Sequence, residues 1–194
     1  MGWLLACVYS TIPSYWLVVH PLADFWRTRG AKLKMVGPIW PILWVAAGLV
    51  TARWRHRVLY STPWRWAPAL ALIAAAFYIY QVARRDFSED QLFGRSELEP
   101  HKHEQRLVTA GIRGRVRHPY YLAHLLHLSG WAIGTGSLAI WALEGFAIMT
   151  GAIMLPLEER ELVRRFGDDY RSYVSRTSAI LPRIKRRLSS PPTS

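Results

Sequence analysis

The feature that most constrains this fold is a series of long apolar runs separated by charged segments. About 20 apolar residues suffice for a helix to cross a bilayer, at about 1.5 Å of rise per residue. The second run is short and contains two prolines, which membrane helices tolerate. The predicted spans are residues 3–22, 36–50, 66–83, 119–133 and 137–155. The pattern therefore predicts an all-α integral membrane bundle of about five transmembrane helices.

The charge balance favours a membrane setting. The chain has 25 Lys and Arg against 13 Asp and Glu, a formal net charge of +12. A nucleic-acid-binding protein can share this charge but would not concentrate its apolar residues in blocks, so no nucleic-acid partner is expected. The basic excess instead suits anionic lipid headgroups, and membrane lipids are expected partners. Cys7, the single cysteine, excludes an intrachain disulfide.

Topology follows from where the basic residues lie. Residues 84–118 and the chain after the fifth run, residues 156–194, hold most of the Lys and Arg, so both are expected on the cytoplasmic side of a plasma or inner membrane. This orientation leaves the basic loop 51–65 outside, against the positive-inside rule. Either the second run does not span the membrane or the heavier C-terminal charge decides the orientation, and we favour the latter. We divide the chain into a three-span anchor (1–83), a catalytic region (84–183) and a basic disordered tail (184–194).

The last two runs form a predicted helical hairpin with a polar cluster at each end. Arg117 and His118 precede Pro119, which suits the first position of a helix. Glu158 and Glu159 follow the fifth run, so the hairpin should bring both clusters together on one side. A helix start can receive a carboxylate or phosphate. The alternatives are that Arg117 and His118 only anchor the helix in the headgroups, and that the glutamates only stabilise a new helix.

That new helix is predicted to begin at Pro156 and to end near Gly167. Residues 166–173 then form an amphipathic surface helix whose tyrosines could cover a cofactor. Glu144 lies inside the fifth run and either packs in the interior or has a function. Tyr120, His124 and His127 share a face of the fourth run. Two histidines three residues apart suit a metal, but no third ligand has matching spacing, so no metal site is predicted.

Three segments occur together and in order along the C-terminal half. They are LVTAGIRGRVRHPYY at 107–121, EER at 158–160, and RRFGDDYRSY at 164–173 followed by ILPR. This arrangement resembles the membrane methyltransferases that include isoprenylcysteine carboxyl methyltransferase and the phospholipid methyltransferases. The resemblance covers about residues 105–183, and the first three spans match only in hydropathy.

The resemblance implies S-adenosylmethionine as methyl donor, bound in a cytoplasmic pocket of the C-terminal helices. Leu107 and Val108 would contact the adenosyl part, and Glu158 with Glu159 would bind polar groups. The full implied cofactor set is Gln105, Leu107, Val108, Gly111, His118, Pro119, Tyr120, Tyr121, Glu158 and Glu159. Arg117, His118 and Glu158 are the implied catalytic residues, with His118 or a glutamate as a proton acceptor.

Two departures from the family pattern mark candidate substrate-binding positions. Arg113 replaces the family tyrosine. Met154 stands where the prenylcysteine branch has an arginine that holds the substrate carboxylate. Prenylcysteine is therefore disfavoured as the acceptor, unless Arg113 or Arg117 supplies that charge.

The implied activity is methyl transfer to a lipophilic acceptor, through the carboxylate, amine or thiol of a lipid-like or isoprenyl-like molecule. Two other functions remain open. Membrane sterol reductases resemble the same region and bind NADPH, but they tend to carry R-D-x-x-R-C-x-x-K-YG where this chain has EERELVRRFG. The second alternative function is that of a non-catalytic membrane protein that docks on lipid.

Overall fold

The computed structural model describes residues 2–28, 36–85 and 106–182. Within these ranges the chain forms helices and two isolated β-bridges but no strand, which confirms the all-α prediction. The helices are α1 (Gly2–Ser10), α2 (Ile12–Val19), α3 (Ala23–Thr28), α4 (Ile39–Thr51), α5 (Trp66–Arg85), α6 (Pro119–Thr135) and α7 (Leu138–Arg176). Short 3₁₀ helices occupy Ala52–Trp54, Pro63–Arg65 and Gly111–Gly114. The predicted tail, residues 184–194, lies outside the described residues.

Each of the five predicted apolar runs forms a helix. Among the described residues, three helical stretches are long and apolar enough to cross a membrane: Gly2–Val19, Pro63–Arg85 and Leu138–Arg176. The first joins α1 and α2 end to end. The other two runs form shorter helices, α4 and the 17-residue α6. The fold is therefore that of an all-α membrane bundle.

Helix α7 differs from the prediction at Pro156. This proline lies inside the helix and does not start a new one. A proline removes a single backbone hydrogen bond, and the helical turns on both sides hold the geometry. The break comes at Gly167, close to the predicted position, with a φ of 57° that favours glycine. The part of α7 before Gly167 rises about 43 Å, beyond the ~30 Å hydrocarbon core, so its second half extends out of the membrane.

The core lies where α1, α6 and α7 meet, and small residues allow the helices to approach closely. Its buried members are Ala6, Cys7, Leu128, Ala132, Ile140, Leu143 and Ala147. Gly130 of α6 faces α5, where a Cβ atom would come within 2.8 Å of the Ala69 carbonyl oxygen. Helices α5 and α6 therefore pack backbone against backbone along the bundle.

The turn between α6 and α7 is fixed by the loop after α4. Gly136 adopts a left-handed conformation, with a φ of 62°. Its carbonyl oxygen accepts a hydrogen bond from the Leu59 N–H at 2.9 Å, and the Leu138 N–H donates to the Arg57 carbonyl at 2.9 Å. A Cβ atom on Gly136 would lie 2.3 Å from the Tyr60 carbonyl oxygen. These contacts hold the turn in a conformation in which α7 runs antiparallel beside α6.

Replacing Gly136 with alanine is therefore expected to lower the free energy of unfolding by at least about 2 kcal/mol, from the left-handed φ and the clash with Tyr60. Thermal unfolding of the detergent-solubilised protein measures the effect. Gly145→Ala is the matched control, because nothing lies within 4 Å of a Cβ atom there. Equal melting temperatures for the two variants would contradict the assigned role of the turn.

Candidate active site

The polar ends of the hairpin meet on the side opposite this turn. Arg117 Nη2 lies 2.6 Å from Glu159 Oε1. The His118 ring lies between both glutamates, with Nε2 at 3.2 Å from Glu159 Oε1 and Nδ1 at 3.5 Å from Glu158 Oε2. We call Arg117, His118, Glu158 and Glu159 the ionic cluster. These distances confirm the prediction that the two polar ends come together.

Backbone pairing places the first half of the ionic cluster. The Arg117 N–H donates to the Ser178 carbonyl at 2.8 Å, and the His118 N–H donates to the Ala179 carbonyl at 2.9 Å. His118 is the N-cap residue of α6 and Pro119 is its first residue, as predicted. The His118 side chain makes no capping hydrogen bond. Its ring points to the glutamates of α7.

Arg117 also links the C-terminal end of α7 to Glu159, which lies nearer the middle of this helix. Its Nε donates to Glu159 Oε1 at 2.8 Å, while Nη1 donates to the carbonyls of Val174, at 3.4 Å, and Thr177. Cations near a helix C-terminus favourably satisfy its last carbonyls. In this structure Arg117 therefore positions other groups, and its catalytic role stays a prediction.

Arg113 lies next to the ionic cluster, in the 3₁₀ helix whose first residue, Gly111, has a φ of 61°. Its side chain is buried, and Nη1 donates to the Arg117 carbonyl at 3.3 Å. The Tyr173 hydroxyl donates to the Arg113 carbonyl at 2.6 Å. A substrate contact by Arg113 stays a prediction.

The helix after Gly167 is amphipathic, as predicted. Its exposed face carries Asp168, Asp169, Arg171 and Ser172. Tyr170 and Tyr173 are buried on the other face. The Tyr170 hydroxyl has no hydrogen-bond partner within the described ranges, and burial together with Glu159 and Glu158 raises its pKa. Whether these tyrosines cover a cofactor stays a prediction.

Glu158 is held differently from Glu159. Its Oε2 atom lies 3.5 Å from His118 Nδ1 and 4.0 Å from His20 Nε2, yet accepts no hydrogen bond from any described residue. Glu159 instead accepts from two donors. Burial raises the pKa of the Glu159 carboxyl, but hydrogen bonds from His118 and Arg117 outweigh it and hold this pKa below its usual value. Glu159 is thus ionised at neutral pH, and Glu158 offers a buried oxygen to a ligand.

His20 is the site residue that sequence reasoning missed. It ends α2, stacks on Trp16 at 4.8 Å between ring centroids, and reaches Glu158 from the segment assigned to the anchor. The sequence signal that could have found His20 is its position near the end of an apolar run. Ionisable side chains are uncommon in membrane-spanning segments and usually have a function there. The N-terminal helices therefore contribute to the site as well as to anchoring.

A cavity of about 220 Å³ opens on the His20 side of the ionic cluster, between the turn after α2 and the second half of α7. Glu161 lines it and is bound by Arg165, at 2.5 Å, and by Arg27, at 3.5 Å. Its volume is below the ~300 Å³ that is usual for a whole small-molecule site. The cavity can hold part of a ligand whose remainder lies against the cluster.

The other predicted site residues differ in how far they are buried. Met154 is fully buried, and its sulfur accepts a hydrogen bond from the Tyr121 hydroxyl at 3.4 Å. The Tyr120 ring lies 5.8 Å from the guanidinium carbon of Arg113. Leu107 and Val108 are half-buried in the segment before the 3₁₀ helix, and Gly111 is exposed. Gln105 lies outside the described residues.

Within the ranges 2–28, 36–85 and 106–182, no group of three or more His, Cys, Asp or Glu side chains is arranged to hold a metal ion. Glu144 is buried on α7 and accepts a hydrogen bond from Ser129. It lies far along α7 from the ionic cluster and takes no part in the site.

The fold and the site define a helical membrane protein with a buried ionic site at one end of a hairpin. The phospholipid methyltransferase family profile matches residues 64–169, more than half of the chain, so the chain belongs to this family. The match includes all four residues of the ionic cluster. It confirms the family predicted from the three sequence segments.

Two curated relatives are similar to parts of the chain. Methanethiol S-methyltransferase 1 of Bradyrhizobium diazoefficiens is 27% identical over 155 residues, which cover 73% of this chain and 53% of that relative. The cobalt-zinc-cadmium resistance protein CzcN of Cupriavidus metallidurans is 38% identical over 80 residues, or 40% of this chain and 36% of that protein. The chain thus spans about half the length of the first relative. No solved structure matches.

Proposed function

We propose that this protein is an S-adenosylmethionine-dependent methyltransferase that acts on a lipophilic acceptor at the membrane. The observation that carries the proposal is the Glu158 carboxylate, whose Oε2 atom lies buried between two imidazoles without a hydrogen bond from a described residue. Family membership supports methyl transfer as the reaction. Lys and Arg are in excess in the segments that flank the ionic cluster. This excess supports an active site that faces the cytoplasm, with the protein in the plasma or inner membrane.

The residues present fit this cofactor. The Glu158 Oε2 atom, which accepts no hydrogen bond from a described residue, suits the amino group or the ribose hydroxyls of S-adenosylmethionine, and the positive end of the α6 helix dipole suits its carboxylate. Glu158 and Glu159 would hold its polar groups, while Leu107 and Val108 would lie against its adenosyl part. His118, Pro119, Tyr120 and Tyr121 would line its amino-acid end, with Gly111 on the same pocket.

The bound cofactor would supply a methyl group already activated on a sulfonium. The protein's residues then need to align the acceptor nucleophile and exclude water. His118 can take a proton from a thiol or amine, because an imidazolium at this position lies beside two carboxylates. The name of the Bradyrhizobium relative gives a thiol as that protein's acceptor, which supports a thiol among the candidate acceptors here.

Calorimetric titration of the purified protein separates this function from its alternatives. We expect heat of binding with S-adenosylmethionine and with its demethylated product, and none with NADPH. Heat with NADPH alone would favour a sterol-reductase-like oxidoreductase. No heat with either ligand would favour a non-catalytic lipid-docking protein. Incubation with methyl-labelled S-adenosylmethionine and total host lipids, thiols and quinones then identifies the acceptor.

A further inference from the structure

A second group of polar side chains lies deeper in the bundle, on the membrane side of the ionic cluster. Tyr9 of α1, Tyr80 of α5, and His124 and His127 of α6 form what we call the inner cluster. The Tyr9 ring stacks on His127 at 4.6 Å between centroids, and Tyr80 meets His124 edge-on at 5.2 Å. Three helices thus bring polar side chains together inside the membrane bundle, where such groups usually serve a function.

Three polar atoms of the inner cluster lack a hydrogen-bond partner among the described residues. They are Tyr80 Oη, His124 Nδ1 and His127 Nδ1. His127 is only 4% exposed, and its Nε2 accepts a hydrogen bond from Trp131 Nε1 at 2.9 Å. Because Nε2 accepts, a neutral His127 carries its proton on Nδ1 and needs an acceptor there. Leaving buried polar atoms unpaired is unfavourable, so their arrangement suits a hydrogen-bonding guest.

The inner cluster is connected to both the ionic cluster and the bilayer. The Tyr121 ring lies between them, 5.8 Å from the His118 ring and 6.3 Å from the His124 ring. On the other side, Phe77 of α5 is 53% exposed on the outer face of the bundle, and its ring lies 5.5 Å from His127. A molecule that enters from the lipid beside Phe77 would therefore meet the inner cluster before the ionic cluster.

We propose that the inner cluster binds the head of the methyl acceptor, and that this head is a neutral hydroxyl or thiol. The role as acceptor site rests on the proposed function. Tyr80 Oη–H and His127 Nδ1–H donate to the head's oxygen or sulfur, and the head's own hydrogen is donated to His124 until the head moves on to His118. None of the four side chains carries a permanent charge, so a carboxylate or phosphate would find no counter-charge within the inner cluster itself, which hydrocarbon surroundings make unfavourable.

The test compares 1-decanethiol and 1-decanol with decanoate, which has the same chain length and an anionic head. Calorimetry in phosphatidylcholine nanodiscs, corrected with empty nanodiscs, should show saturable binding of the thiol and the alcohol but not of decanoate. Tyr80→Phe keeps the ring and removes only the hydroxyl, and His124→Phe replaces the imidazole with an apolar aromatic ring. Each variant should weaken decanethiol binding about five-fold, the effect of one lost hydrogen bond.

Tyr78→Phe is the control, because Tyr78 lies on the same helix with its side chain 70% exposed. It should bind decanethiol like the wild type. Unchanged affinity in both Tyr80→Phe and His124→Phe, tighter binding of decanoate, or no saturable binding of thiol and alcohol would overturn the proposal. Binding of S-adenosylhomocysteine is measured on the same samples. If it is absent while the thiol results hold, the inner cluster is a binding site for a neutral head, but the methyltransferase function and with it the acceptor role fail.

Discussion

Replacing Glu158 with glutamine is expected to weaken the binding of S-adenosylmethionine strongly while leaving the protein folded in the membrane. The substitution keeps the side-chain shape but removes the negative charge beside His118 and His20. The neutral amide oxygen of glutamine is also a weaker hydrogen-bond acceptor than a carboxylate oxygen, and the second oxygen is replaced by an NH₂ donor. A hydrogen bond to a charged group contributes about 1.5–3 kcal/mol, so the affinity should fall by at least about 10- to 100-fold. Calorimetry with S-adenosylhomocysteine on the purified variant measures the loss.

The control for this variant is Asp168→Asn, the same chemical change on an exposed residue of the same helix. Asp168 pairs only at the surface, with Arg171 at 2.7 Å, so cofactor affinity should not change. Wild-type affinity in Glu158→Gln would refute the assigned role of this carboxylate. A loss of cofactor binding accompanied by loss of folded protein would instead assign Glu158 to the structure of the bundle.

The second large effect is expected on stability, from Arg117→Met. Methionine preserves much of the side-chain volume but leaves the half-buried Glu159 without its closest cation and the Val174 and Thr177 carbonyls without a donor. Removing one partner of a buried ion pair typically lowers the free energy of unfolding by about 3–5 kcal/mol. Denaturant unfolding in detergent micelles, followed by tryptophan fluorescence, measures this change.

Two further variants identify the cause. Glu159→Gln in the Arg117→Met background should recover part of the lost stability, because it removes the uncompensated charge. Arg171→Met should lower the free energy of unfolding by less than about 1 kcal/mol, since its pair with Asp168 is exposed. A similar loss in Arg117→Met and Arg171→Met would show that burial of the Arg117 pair is unimportant.

Much of the fold was predictable because a bilayer permits few solutions. Apolar runs in lipid must form helices, so the positions of α5, α6 and α7 follow closely from hydropathy. The hairpin also fixed which polar ends would meet, and Arg117 and Glu159 do meet. The exception was Pro156, where local propensity indicated the start of a new helix. In the structure α7 continues past this proline, because the helical turns on both sides keep their hydrogen bonds.

The contribution of the N-terminal region was not predictable in the same way. His20 reaches Glu158 only because α2 packs against α7, and helix packing between distant parts of the chain leaves no periodic signal in the sequence. The inner cluster has the same origin, since Tyr9 and Tyr80 join His124 from two other helices. The division into an anchor and a catalytic region stays a prediction, but the site draws on both.

The pairing of Arg117 with the end of α7 has a consequence for biogenesis. Thr177, whose carbonyl accepts from Arg117, follows it by 60 residues, and the backbone partners Ser178 and Ala179 come later still. During synthesis, all of α6 and α7 must therefore leave the ribosome before the ionic cluster can close. Glu159 remains without its backbone-anchored arginine until then. Closure of the site is thus among the last contacts that the described part of the chain can form.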